Sequence, residues 1–121
     1  MEKRTITLED GSTKDGFVIY SLGNFVSGQI YANTKSTVIL DIQITKSNDG
    51  KISIDSVNYT PVYLYDKGTN SKSRTRYTLI DIEKSINNYE NGKDSSISKS
   101  LYNTLKTELA TIKKTVGKEI N

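Results

Sequence analysis

Histidine and cysteine are both absent from this sequence. Their absence removes Ser–His and Cys–His nucleophile pairs, and with them imidazole and thiolate metal ligands. Proton transfer would then fall to carboxylates, and two pairs can be drawn on a sheet: Asp10 with Asp15, and Asp41 with Asp55. Asp41 and Asp55 fall at outward strand positions, where carboxylates ordinarily meet solvent. No glycine pattern has the spacing of a phosphate-binding loop. The residue types therefore point to no catalytic group, no metal ligand and no cofactor held by this chain.

Binding chemistry is better represented. Residues 66–76 mix Gly, Asn, Ser and Thr with four cations, Lys67, Lys72, Arg74 and Arg76, a candidate site for a phosphate or carboxylate-rich polymer. The competing reading is a solvated loop, the ordinary fate of charge-rich connections. Eight tyrosines and a pI near 9.0 raise the question of base stacking. Tyr59, Tyr63 and Tyr65 share their stretch with Pro61, however, and no basic stripe flanks them. A net charge of +3, with 14 acidic residues among 17 basic ones, gives no strong steering field. No nucleic-acid partner is expected.

The elements that must position these groups are mostly strands. Ile outnumbers Leu, and the mean hydropathy of −0.54 implies a thin core. Residues 3–8 alternate as a strand with Ile6 and Leu8 inward, turning through Glu9-Asp10-Gly11-Ser12. The run Phe17-Val18-Ile19-Tyr20, bracketed by Gly16 and Gly23, reads as a strand over 16–22 buried on both faces. Ile30 and Tyr31 are expected to anchor the irregular stretch that follows. Residues 36–46 carry Val38, Leu40, Ile42 and Ile44 at period two. Ser47-Asn48-Asp49-Gly50 turns the chain into a return strand over 51–59, with Ile52 and Ile54 inward and a bulge where the alternation breaks at Asp55-Ser56-Val57. Pro61 places 58–65 at an edge or a change of direction.

Tyr77 to Leu79 reads as one more short strand. Asp81 then caps a helix bearing Ile82, Ile86 and Tyr89, stopped by Asn91-Gly92. Ser95 or Ser96 caps a second helix whose stripe is Ile97, Leu101, Leu105, Leu109, Ile112 and Val116. Lys113, Lys114 and Lys118 suit its C-terminal end, and Gly117 ends it. The stripe must cover an apolar face, a sheet or a second copy. The expected architecture is α+β: a mostly antiparallel sheet of about five strands followed by two C-terminal helices. It forms a single unit over 1–121, β-rich over 1–80 and helical over 81–121.

The string VIYSLGNFVSGQ at 18–29 resembles the strand-and-turn of the CapA/PgsA family of capsule and poly-γ-glutamate biosynthesis proteins. Tyr20, Ser21, Leu22, Gly23, Asn24, Phe25 and Gln29 all fall in register. Asn58-Tyr59-Thr60-Pro61-Val62-Tyr63 is similar to a second, weaker family motif, and together the two cover about 16–65. The resemblance implies part of a metallophosphatase-like α/β/β/α sandwich whose divalent metal centre is built from Asp, Asn and His. In full-length members a His-containing ligand loop comes just before this stretch. With no histidine here, the resemblance identifies a C-terminal portion without the metal-ligand half, not catalytic alone. It implies an extracytoplasmic, membrane-tethered parent, although this chain shows no signal or transmembrane segment.

On that resemblance Asn24, with Ser21 beside it, is a pocket-lining candidate; as residues alone, Gly-Asn satisfies a turn. The expected partners are the missing N-terminal half, an acidic polymer, and a second copy of the chain through its uncovered sheet. A different class of function stays open: an independent binding module that recognises an acidic polymer or peptide through an edge strand and the basic loop 66–76. A third is an interaction domain dimerising through the stripe at 97–116.

Overall fold

The computed structural model describes residues 1–23, 25, 29, 31, 34–68 and 76–117. Five strands precede two helices: β1 (Glu2–Thr7), β2 (Thr13–Val18), β3 (Ser36–Lys46), β4 (Ile52–Asp66), β5 (Tyr77–Asp81), α1 (Ile82–Glu90) and α2 (Lys99–Val116). Every strand pair is antiparallel, so the chain is α+β. The strands divide into two sheets, β1–β2 and β3–β4–β5.

Both hairpins turn by the same device. The Leu8 amide donates to the Ser12 carbonyl and the Gly11 amide to that of Leu8. The amides of Ser47 and Gly50 repeat this with the carbonyls of Lys51 and Ser47. Gly11 and Gly50 take φ of +80° and +85°, the left-handed residue that returns the chain into its strand. Asp10 accepts from the Ser12 amide and hydroxyl, which holds its carboxyl below the usual range. Asp49 does the same work through Ser47 and Lys51.

The expected bulge is present. Gln43 pairs with Ser56 but Ile44 with Ile54, leaving Asp55 as the extra residue of β4. It keeps one face apolar on both sides of the break: Val38, Leu40, Ile42 and Ile44 of β3 stand with Pro61, Tyr59, Val57, Ile54 and Ile52 of β4. Helix α2 covers the end of this face nearest β5. There Val38, Tyr63, Ile82, Leu105, Ile112 and Val116 form the buried core, with Ile80, Ile86, Leu101 and Leu109 packed around it. Each such side chain stabilises the fold by roughly 1.5–3 kcal/mol when fully buried.

Pro61 lies within β4, and its neighbours explain why it is tolerated there. The Leu64 amide donates to the Lys35 carbonyl at 2.7 Å, so alternate residues back to Thr60 turn their main-chain groups toward β3. Pro61 faces the other way, where pairing with β5 has already ended at Val62–Asp81. A missing N–H does no harm at that position, because β5 has become α1. β4 is thus central over Val62–Asp66 and an edge before it.

Asp81 caps α1, its Oδ1 accepting from the Lys84 amide at 2.9 Å, and Asn91 closes it. Helix α2 begins later than expected. Ser98 is the cap, its Oγ accepting from the Leu101 amide at 3.1 Å, while Ser96 is held in a turn by the Asp94 carboxylate. Ile97 consequently lies ahead of the helix, and the stripe runs from Leu101 to Val116. The helices meet through stacked Tyr89 and Tyr102, ring centroids 4.3 Å apart, and through Lys113 and Glu83 at 2.8 Å. Among the described residues, no helix is long and apolar enough to cross a membrane.

Three expectations are corrected. The strand expected at 16–22 is Thr13–Val18 and is exposed or half-buried along its length, because among the described residues it is laddered only to β1 and touches no helix. Tyr20 is 75% exposed, Phe25 51% and Tyr31 74%. Ile6 and Leu8 also face solvent, since a two-stranded sheet with no layer behind it has no inside. The chain is organised around β4, whose Pro61–Leu64 segment is buried. Ile30 and Lys118 lie outside the described residues.

Candidate functional site

The stretch carrying the family resemblance meets the core at Ser21-Leu22-Gly23. Gly23 bridges to Thr37 at the start of β3, at a φ of +80°. A Cβ there would meet the Ser36 carbonyl and Thr37 Oγ1, each at 3.3 Å, so a side chain would be strained in conformation and would push these neighbours by a few tenths of an ångström. The buried Thr37 hydroxyl donates to the Leu22 carbonyl, and Ser21 Oγ accepts from the Gly23 amide at 3.1 Å. These bonds pin an otherwise irregular segment to the edge of β3.

A cleft of about 210 Å³ opens between this segment and α2, bounded by Ser21, Leu22, Gly23 and Val38 on one side and Thr111, Ile112 and Thr115 on the other. Its hydroxyls are already engaged. Thr111 and Thr115 donate back to the carbonyls of Thr107 and Thr111, and Ser36 donates to Glu108. Ser21 lies in the wall of this cleft and braces the turn there. Asn24 lies outside the described residues. Sequence reasoning missed Ser36, Thr37 and Glu108. Two small hydroxyls open the apolar alternation of β3, and Glu108 is flanked by the stripe residue Leu109; both were visible signals.

The basic loop is closed at its base. Arg76 Nε donates to Asp66 Oδ1 at 2.9 Å, and its terminal nitrogen to Oδ2 at 2.8 Å. Arg76, together with the Gly68 amide, lowers the Asp66 carboxyl from 3.8 to about 2. The Lys67 amide donates to the Arg76 carbonyl, extending the β4–β5 ladder by one pair, and the Arg76 guanidinium lies 5.0 Å from the Tyr77 ring centre. Two of the four cations, Lys67 and Arg76, thus sit at the neck of the loop, and Arg76 is held in an ion pair with Asp66. Lys72 and Arg74 lie outside the described residues.

The carboxylate pairs are not assembled into acid–base sites. Asp10 is spent on its turn, and Asp15 faces Lys3 at 3.1 Å. Lys3, followed by the Thr5 hydroxyl, lowers the Asp15 carboxyl. Asp41 pairs with Asn58 across the sheet, whereas Asp55 is the bulge residue and accepts from the Thr45 and Ser53 hydroxyls. Glu2 accepts from Tyr20 Oη at 2.6 Å and from Arg4, an exposed cluster joining the end of β2 to β1. Among the described residues no three acidic side chains converge on a point that could hold a metal ion.

No family model, no curated protein and no solved structure matches this chain.

Proposed function

We propose that this unit is a C-terminal structural portion of a CapA/PgsA-like protein, contributing strands and a pocket wall to a larger domain that acts in assembly or export of an anionic surface polymer. The observation that carries the reading is the string at 18–29. Its Gly23 sits at a positive φ and in close contact with β3, where a side chain would be strained, beside the first pair of a long antiparallel hairpin. A bare apolar surface supports it too. Ile42, Ile44, Ile52 and Ile54 stand together on the end of the β3–β4 face that α2 does not reach, and Ile44 is 60% exposed. Contiguous apolar surface of this kind is ordinarily covered by another layer. On this reading the chain positions and supports, and metal-dependent chemistry belongs to the part of the parent that supplies histidines.

The test is to sequence the transcript upstream of the Met1 codon. The reading expects a continuous frame, or an immediately adjacent one, encoding a His-containing ligand loop. Its absence from both would overturn the proposal. In that case the independent binding module, with its edge strand and basic loop 66–76, becomes the better account.

A further inference from the structure

β3 is an edge strand. Its ladder partner is β4, and among the described residues only Gly23 is bridged to its other side, at Thr37. The Leu64 amide donates to the Lys35 carbonyl and the Ser47 amide to the Lys51 carbonyl, which fixes the phase at both ends of β3. Ser36, Val38, Leu40, Ile42, Ile44 and Lys46 therefore turn their main-chain groups away from β4. The Gly23 bridge engages the first two of these. Among the described residues, no strand meets Leu40 through Lys46 on that side.

The other open edges carry guards against pairing, and this one carries few. β4 has the extra residue Asp55 and a proline at 61, while β1 and β2 bear Glu2, Lys3, Arg4, Lys14 and Asp15. Between Leu40 and Thr45, β3 has no proline, no glycine and no extra residue. Its one charge there, Asp41, lies on the polar face opposite Asn58, and Ile42 and Ile44 are both exposed.

We propose that this edge pairs with itself in a second copy of the chain, β3 antiparallel to β3 about a two-fold axis at Gln43, so that the two three-stranded sheets run on as one. The phase leaves few registers. An axis at Asp41 would set two carboxylates against each other. An axis at Ile42 would draw in Val38, which Gly23 already engages, and one at Ile44 would shorten the ladder. An axis at Gln43 uses Leu40 through Lys46 and nothing else, about 24 Å of edge with about eight main-chain bonds.

That register is complementary to itself. Ile42 falls opposite Ile44 of the second copy, Asp41 opposite Thr45, and Lys46 opposite Leu40, so no like charges meet. Gln43 falls opposite Gln43 at a site without main-chain bonds, where side chains come closest. Its side-chain oxygen accepts from the Ser56 hydroxyl at 3.5 Å, and its amide nitrogen has no partner among the described residues. Each amide can therefore donate to the other across the axis. Pairing by edges also leaves the isoleucine face free for a further layer.

Sedimentation equilibrium on the 121-residue chain tests this. A monomer–dimer equilibrium is expected, with a Kd between about 1 μM and about 1 mM, as suits a short edge. Ile42→Pro removes an outward N–H without touching the ladder to β4 and should weaken association at least about tenfold. Gln43→Glu and Gln43→Lys each place like charges at the axis and should weaken it about tenfold, while an equal mixture of the two should restore it. Should Ile42→Pro unfold the chain, the Gln43 variants decide, because their side chains stand on the solvent face. A monomer at every concentration up to about 1 mM would overturn the proposal. So would a dimer that the Gln43 variants, alone and mixed, form as tightly as the unmodified chain, since the contact would then lie elsewhere, such as the stripe of α2.

Discussion

Arg76 holds Asp66 at two points, its Nε on one carboxylate oxygen at 2.9 Å and its terminal nitrogen on the other at 2.8 Å. Parallel N–H bonds of this kind fix geometry as well as charge, and here they lock the neck of the basic loop to the end of β4. The pair also predicts a pH dependence. Since the Asp66 carboxyl falls from 3.8 to about 2 on folding, its ionised form favours the folded state. That contribution is complete above about pH 4 and is lost as pH falls through about 2. Carboxyl NMR titration should place the Asp66 midpoint near 2, and Arg76→Ala should raise it toward 3.8. A midpoint at the ordinary value in the unmodified chain would show that the grip does not persist in solution.

The position of the core predicts a contrast between two side chains. Leu105 is fully buried between α2 and the sheet, whereas Phe25 is 51% exposed. Leu105→Ala is expected to destabilise by about 3 kcal/mol, within the range for buried leucines. Phe25→Ala should stay below about 1 kcal/mol. Urea melts of the two variants check this, and a larger loss for Phe25 than for Leu105 would overturn the placement of the core under α2.

Two glycines with similar backbone angles should respond differently to a methyl group. Gly23 and Gly50 have φ of +80° and +85°, but a Cβ at Gly50 meets nothing within 4 Å, whereas at Gly23 it presses on Ser36 and Thr37. Gly50→Ala should cost about 1 kcal/mol, from backbone conformation alone. Gly23→Ala should cost more, because the β3 edge must also give way. Equal losses in thermal melts would sink the claim that this turn is pinned.

The start of α2 can be located by two serines. Ser98→Ala removes the hydroxyl that receives the Leu101 amide and should cost about 1 kcal/mol. Ser95→Ala touches no cap and should leave stability unchanged within a few tenths. A reversed order in denaturant melts would move the helix start back to Ser95.

Local signals in the sequence determined most of the elements. Asp-Gly at both hairpins, alternation in Val38–Ile44, the broken alternation at Asp55, Asp81 before an apolar stripe, and the stripe from Leu101 to Val116 all act within a turn or a strand length. The structure follows each of them. Tertiary packing decided which elements are inside. Phe17-Val18-Ile19-Tyr20 has the composition of a buried strand, yet burial depends on what stands opposite, and among the described residues β2 is laddered only to β1 and touches no helix. Pro61 looks unsuited to a central strand, yet its missing N–H points where β5 has already ended. Ser98 displaced Ser95 and Ser96 as cap because Asp94 had engaged Ser96 in a turn. The engagements of Ser36 with Glu108 and Thr37 with Leu22 join residues far apart in the chain, where no periodicity reaches. Short-range chemistry is written in the order of residues; burial and partnership are set by which surfaces the folded chain brings together.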